Sequence, residues 1–307
     1  MKLIINNKEI TASEQSMRSC RYNDYAGGRA DALHIVFNDT YDLWKGWGLK
    51  KNDTIQVVKD RIDTGIMYVS SIGIEDGAYT VKALSTPSKA LNELSNTREN
   101  IKLTGICSEI SNELGFSLYT YEITDYLYEF VQRINCNSLE HLQSVLVKEG
   151  DIQKVYNNKL IIYSEKKLEN KNPSIIISKK DFIKNPYFST SDAKLVSSIE
   201  NIYQHENGII KTKVSSGLDG KHLILNIPVS SLGESERFCK NIMRFHNKYE
   251  FVGSGIVAYQ GITAGITINL SGDFAEWSGT NFVYEVSNDI LFDRQIIKYR
   301  KSIQGDY

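Results

Sequence analysis

Residues that usually carry chemistry are few here, and they are scattered. Cysteine is limited to Cys20, Cys107, Cys136 and Cys239, far apart and with no C-x-x-C pair, which excludes the common zinc-finger and thiol-redox motifs. Such isolated thiols are expected to be reduced and mostly buried. The five histidines, His34, His141, His205, His222 and His246, include no H-x-H, H-x-x-H or H-E-x-x-H spacing, so no local metal motif is legible. Proline is also scarce, at four residues, while Lys, Asn and Ile are abundant, a bias that fits an AT-rich genome. There is no excess of either charge sign: 36 basic and 37 acidic side chains leave a net charge of −1. A protein dedicated to gripping a phosphate backbone would carry a basic surplus. Long apolar runs are missing too. No window approaches the ~18 uncharged apolar residues of a membrane helix. The opening run Leu3-Ile4-Ile5 is too short for a signal peptide. The expected place of synthesis and folding is therefore the cytoplasm.

The 307 residues, 41% hydrophobic and 24% charged, describe an ordinary globular chain of about two domains. Residues 1–88 carry strand patterns at 32–39, 54–58, 66–72 and 79–84. Between them lie the turn signals Lys51-Asn52-Asp53, Asp63-Thr64-Gly65 and Glu75-Asp76-Gly77, which predicts a small barrel or sandwich. Residues 89–172 change character. A helix capped by Thr104 presents Ile106, Cys107, Ile110 and Leu114 and stops at Gly115. A second, capped by Ser138, presents Leu139, Leu142, Val145 and Leu146 and stops at Gly150. A two-residue hairpin turns at Asn157-Asn158. The charged stretch Glu165 to Lys171 reads as a linker. From 173 to 307 strands return, at 194–204, 208–214, 222–227, 250–260, 265–270, 282–286 and 295–301. One helix, about 231–249, interrupts them, with a capping box at Ser231 and Glu234 and an apolar face of Phe238, Ile242, Phe245 and Tyr249.

An approximate internal repeat spans the outer segments. Asp53-Thr54-Ile55-Gln56-Val57 is echoed by 265–270, Val69-Ser70-Ser71 by Val286-Ser287-Asn288, and Tyr79-Thr80-Val81-Lys82 by Gln295-Ile296-Ile297-Lys298.

Catalytic motifs fail on inspection. Gly253-Ser254-Gly255 lacks the G-x-S-x-G frame and a following helix, and reads as a bulge or tight strand. Gly27-Gly28-Arg29-Ala30-Asp31 lacks the G-K-[ST] ending of a phosphate loop and reads as a loop before a strand. With 37 acids, pairs of carboxylates suited to glycoside cleavage arise by chance, because their spacing is spatial. Trp44, Trp47 and Trp277, with the 18 tyrosines, fit barrel cores and subunit interfaces better than sugar or base stacking. No catalytic, cofactor-binding or metal-ligating residue is assigned, and no cofactor.

The order of elements resembles the late control protein D family of phage tail hubs, which includes the hub part of type VI secretion spikes. Three stretches carry the resemblance. Trp44-Lys45-Gly46-Trp47, followed by the turn Lys51-Asn52-Asp53 into a strand, is similar to the family's Trp-rich turn. Gln132 to Gln143, with Gly150 and the hairpin, is similar to its helix and hairpin. The strand–helix–strand run from Lys194 to Arg300 completes the match. Asn52 stands where the family often has Gly, and Cys136-Asn137-Ser138 replaces a more usual Asp-rich approach to the helix. The resemblance implies a mainly β fold with an α+β insert: two tube-like β-barrels per chain (1–88 and 173–307) and a small α/β insert (89–172). It further implies a homotrimer with pseudo-sixfold symmetry that adapts a hexameric tail tube to a central spike. The implied partners are the tail tube protein, the spike, other baseplate proteins and the tape measure, with no membrane. The implied location is the host cytoplasm during assembly, then the baseplate of a virion or tail-like particle such as an R-type bacteriocin. The alternative is a tail-associated cell-wall hydrolase. Related hubs can carry a fused lytic domain, whereas here the strand pattern runs to the end of the sequence, which weighs against it.

Overall fold

The computed structural model of the chain describes residues 1–10, 14–41, 44, 46 and 48–303. Lys45 and Trp47 of the expected Trp-rich turn lie outside the described residues, as do 304–307, the expected end of the second barrel. The fold is mainly β.

The first segment supplies β1 (Lys2–Ile5), β2 (Lys8–Ile10), β3 (Met17–Tyr25), β4 (Ala32–Asn38), β5 (Thr54–Lys59), β6 (Ile62–Asp63), β7 (Met67–Glu75) and β8 (Ala78–Leu84). They pair in the order β3-β4-β8-β7-β5-β1-β2, with β6 attached to β5. Period-two alternation sets the inner face: Leu33, Ile35 and Phe37 of β4 meet Ile55 and Val57 of β5, and Tyr79, Val81 and Ala83 of β8, in one core. Trp44 stacks on Phe37 with ring centroids 3.9 Å apart.

The last segment supplies β14 (Ile175–Ser178), β15 (Tyr187–Thr190), β19 (Phe251–Ala258), β20 (Thr267–Ser271), β21 (Gly279–Asp289) and β22 (Arg294–Lys301). They pair in the order β15-β19-β22-β21-β20-β14 around a separate core of Ile177, Val257, Ile268, Val283, Ile297 and Tyr299. The expected elbow Gly253-Ser254-Gly255 lies inside β19. A methyl group at Gly253 would overlap the Tyr299 ring, and one at Gly255 the Phe182 ring, so close approach of aromatics explains both glycines.

The two halves repeat strand for strand. In each, the strands run β5-β7-β8-β4 or β20-β21-β22-β19, with β3 on β4 and β15 on β19. Register agrees as well: Thr54 and Ile55 face Tyr68 and Met67, as Thr267 and Ile268 face Phe282 and Asn281. Lys82 and Lys298 each sit opposite the residue after a bulge, Ser71 and Glu285. At the entry to β5, Val69 N donates to Asp53 O and Asn52 N to Val69 O, each at 2.8 Å. At the entry to β20, Val283 N donates to Ile266 O at 2.9 Å and Gly265 N to Val283 O at 2.8 Å. Asn52 and Gly265 thus hold equivalent places, both left-handed, at φ 68° and 94°. The first and third echoes in the sequence are in structural register. The second is displaced by three residues, for the counterpart of Val69-Ser70-Ser71 is Val283-Tyr284-Glu285. The halves differ at one edge: β1 runs antiparallel to β5, but β14 runs parallel to β20.

Between the halves lies a mixed body of β9 (Glu93–Lys102), α1 (Leu103–Leu114), β10 (Ser117–Tyr121), β11 (Leu127–Asn137), α2 (Ser138–Glu149), β12 (Asp151–Tyr156), β13 (Lys159–Ser164) and α3 (Glu165–Glu169). Both expected helix caps shift. The α1 helix starts at Leu103, and Thr104 donates its N–H and hydroxyl to Asp125 at 2.9 and 3.0 Å. Asn137 caps α2 by accepting from Glu140 N at 2.9 Å, while Ser138 donates to Glu113 at 2.6 Å. The hairpin turns at Asn157-Asn158, both at positive φ. The strands expected at 194–204, 208–214 and 222–227 are β16 (Val196–His205), β17 (Gly208–Ser215) and β18 (Lys221–Leu225). They form a sheet of their own, in the order β17-β16-β18, outside the main sheet. Helix α4 (Leu232–Asn247) packs on it, with Cys239 and Met243 against Ile199. Phe238 of α4 joins Leu142 and Leu146 of α2 in the insert's core, so the middle body is built from two separate stretches of chain.

Candidate assembly interface

The main sheet is 14-stranded because the two halves are joined edge to edge. Strand β3, at the margin of the first half, pairs antiparallel with the C-terminal part of β21: Tyr25 opposite Glu285, Asn23 opposite Ser287 and Arg21 opposite Asp289. The bulge at Val283/Glu285 marks the change of partner: β21 pairs with β20 before it and with β3 after it. Ala26 N donates to Tyr284 O at 3.0 Å and Ile290 N to Cys20 O at 2.9 Å, extending the ladder at both ends. The Ser287 hydroxyl meets Asn23 Oδ1 at 2.6 Å. Ile290 plugs fully into the first half's core.

A buried charge cluster ties the insert to this seam. Lys154 of β12 reaches Asp24 and Asp31, the latter at 3.2 Å, and donates to Tyr25 O at 2.6 Å. Asp24 also accepts from Ala264 N of the second half at 2.8 Å, and Asp31 from Tyr22 OH at 3.0 Å and Tyr25 N at 2.9 Å. Burial pushes Asp31 up to about 6, with Lys154 opposing and Asp24 reinforcing the rise. Burial also works against the Lys154 charge, but Asp24 and Asp31 outweigh it and hold that ammonium above the usual lysine range.

A second cluster occupies the stretch expected to be a linker. Glu165 and Glu169 of α3 are buried. Arg300 of β22, fully buried, pairs with both, while Arg244 of α4 pairs with Glu169 at 2.8 Å and Lys248 with Glu165 at 2.9 Å. Burial opposes the Glu165 charge, but Lys248 and Arg300 overcome it and hold the carboxyl at about 2. The supposed linker is a salt-bridged joint between the insert, α4 and the second half. Removing one partner from such a joint strands a buried charge.

A cleft of roughly 750 Å³ opens between the insert and α4 and is lined by Glu149, Asp151, Lys167, Glu234, Arg237 and Lys240 among others. Burial, helped by Glu149, pushes Asp151 up to about 7. Glu149 is engaged by Tyr128 OH at 2.5 Å and by Arg237 at 2.8 Å. Among the described residues no group of three or more His, Cys, Asp or Glu is arranged to hold a metal ion. His34 lies partly buried on β4, facing Arg21 and Lys82 across neighbouring strands; burial, then those cations, lower its pKa. Sequence reasoning missed Asp24, Asp31, Lys154, Glu165 and Glu169 as interface residues. No spacing rule announces an acid that is buried by distant segments.

No protein-family model matches the chain, and no curated protein matches it by sequence. Solved structures do. The 43 kDa tail protein of prophage MuSo2 from Shewanella oneidensis superposes with TM-score 0.77 at 11% identity over 97% of each chain. A tail protein from Neisseria meningitidis gives TM-score 0.77 at 9% identity, over 98% of this chain and 95% of that one. An Escherichia coli component of the type VI secretion system, itself similar to T4 bacteriophage tail proteins, gives TM-score 0.58 at 10% identity, over 100% and 79%. The chain thus has the fold of prophage tail proteins and of a type VI secretion component, in agreement with the tail-hub resemblance in its sequence.

Proposed function

We propose that this chain is the structural hub of a contractile tail or tail-like injection machine. Three copies form a ring that adapts the sixfold tail tube to a central spike. The observation that carries this reading is the strand-for-strand repeat of two halves joined edge to edge. Three such chains present six similar β units around an axis, on which a hexameric tube ring can stack with near-equivalent contacts. The tail tube protein, the spike and neighbouring baseplate proteins are the partners, and the finished location is the baseplate of a virion or headless particle. The outer segments act as the two tube-like units and the middle body as their brace. The hub works without catalysis. The test is mass by light scattering or native mass spectrometry on the chain co-expressed with its spike, with microscopy of particles lacking the gene. Three copies per complex, and tails that fail to assemble without the protein, are expected. A monomer in that complex, or normal tails in its absence, overturns the assignment.

One observation favours the hydrolase alternative: a carboxyl raised to about 7 beside a second carboxylate in the cleft between the insert and α4. Against it, Glu149 is already bound by Tyr128 and Arg237. Purified protein is expected not to clear peptidoglycan; clearing that Asp151→Asn abolishes would establish the enzyme.

A further inference from the structure

Because the halves share strand order and register, a contact made by one half marks an equivalent place on the other. Counterparts of the seam strands β3 and β21 are β15 and β7. The bulge at Val69/Ser71 matches that at Val283/Glu285, so Ser71 to Glu75 correspond to Glu285 to Asp289. Pairing of β15 with β19, set against that of β3 with β4, makes Tyr187, Phe188, Ser189 and Thr190 the counterparts of Arg21, Tyr22, Asn23 and Asp24. Within the chain, β3 fills the edge of β21. Among the described residues no strand pairs with the matching edge of β7 beyond its bulge, nor with the edge of β15 that faces away from β19.

We infer that the free edge of β15 pairs antiparallel with the free edge of β7 in a second copy of this chain, with Phe188 opposite Ile74 and Ser189 opposite Gly73, so that it repeats the internal seam between molecules. The inference rests on the ring reading above and gives it a strand-level contact. Exposure marks the missing neighbour: Ile74 is 55% exposed where its counterpart Asn288 is 5% exposed, and Tyr187 is 65% exposed. Pro186 fits, although proline donates no hydrogen bond. It stands where Cys20 stands, whose carbonyl accepts from Ile290 N at 2.9 Å, and a proline carbonyl can accept in the same way. No like charges face each other, since Glu75 meets Tyr187. The contact joins two different edges, so it propagates head to tail and ends only when a ring closes. Closure removes two strand edges that would otherwise invite aggregation.

The test places Gly73→Cys and Ser189→Cys together in the full chain, on a Cys136→Ser background. Cysteine fits at 73, where an added Cβ meets nothing nearer than Thr80 Cβ at 3.8 Å. The Ser287–Asn23 contact shows that side chains at this pair of positions touch. Mild oxidation is expected to yield covalent dimers and trimers, with the trimer as end product. Each single variant, and the shifted pair Gly73→Cys with Tyr187→Cys, should yield none. A complex of three chains that fails to cross-link, or that cross-links equally well through the shifted pair, overturns this contact and leaves the ring intact. A monomer under the same conditions overturns the ring itself.

Discussion

Burial decides what each ionisable side chain contributes, and Asp151 shows it most directly. Its carboxyl is raised to about 7 by burial, then by Glu149. A carboxyl that binds its proton more tightly folded than unfolded stabilises the fold when protonated. Stability therefore falls as pH rises from about 4 to about 7 and levels off above. Asp31, raised to about 6, acts in the same direction. Glu165, held at about 2, acts in the opposite sense but only below the ordinary carboxylate range. Relative to the wild type, Asp151→Asn should gain stability as pH rises from 5 to 8, by about 2–4 kcal/mol at pH 8. Calorimetric scans of both proteins across that range check it; parallel curves would contradict the buried carboxyl. The same physics explains what the sequence concealed. The run Glu165-Lys166-Lys167 has the composition of a solvated linker. Only partners far along the chain, Arg244, Lys248 and Arg300, turn it into a buried joint. By contrast Asn52 was legible in kind: a residue tolerant of positive φ ahead of a strand, doing the work of Gly265 in the other half.

A strict period made most strands of the first half legible, but not β3, where Asp24 shares the buried face with Cys20 and Tyr22 and masks the alternation. Strands β4, β5, β7 and β8 alternate against a single core, so their bounds moved little from the sequence expectation. Strands β9 and β11 were missed. They form a two-stranded ribbon open to solvent on most positions, with Leu94, Leu127, Phe130 and Ile134 exposed, so no alternation betrays them. Helix α4 was placed within two residues, but its face was half misread. Phe238 is buried as expected, whereas Phe245 and Tyr249 are exposed and Cys239 and Met243 turn inward to the β16–β18 sheet. Helix α2 offers the sharpest test of an element. Leu142 is fully buried where α1, α2 and α4 meet, so Leu142→Asp places an unpaired charge in an apolar contact and should cost roughly 3–5 kcal/mol. A denaturant titration that shifts by less than about 1 kcal/mol would contradict the packing of this helix.

For the molecule as a whole, the seam between β3 and β21 joins the two ends of the sequence. The Asn23–Ser287 contact spans 264 positions, that of Asp24 with Ala264 spans 240, and that of Lys59 with Ile290 spans 231. Contacts so distant in sequence are expensive to close and form late. During synthesis the first half emerges with the outer edge of β3 unpaired, and that edge stays open until β21 is made. Truncation before residue 279 should therefore leave a chain whose first half gathers its own core yet self-associates through β3; sedimentation of the truncated chain reads this directly, and a stable monomer would contradict it. The timing has a consequence for assembly. A nascent chain cannot present a finished pair of units to its neighbours before β21 is made, because that strand seals the seam that aligns them. In the ring proposed above, closure would thus wait for β21, and shorter fragments would be kept from seeding incomplete rings.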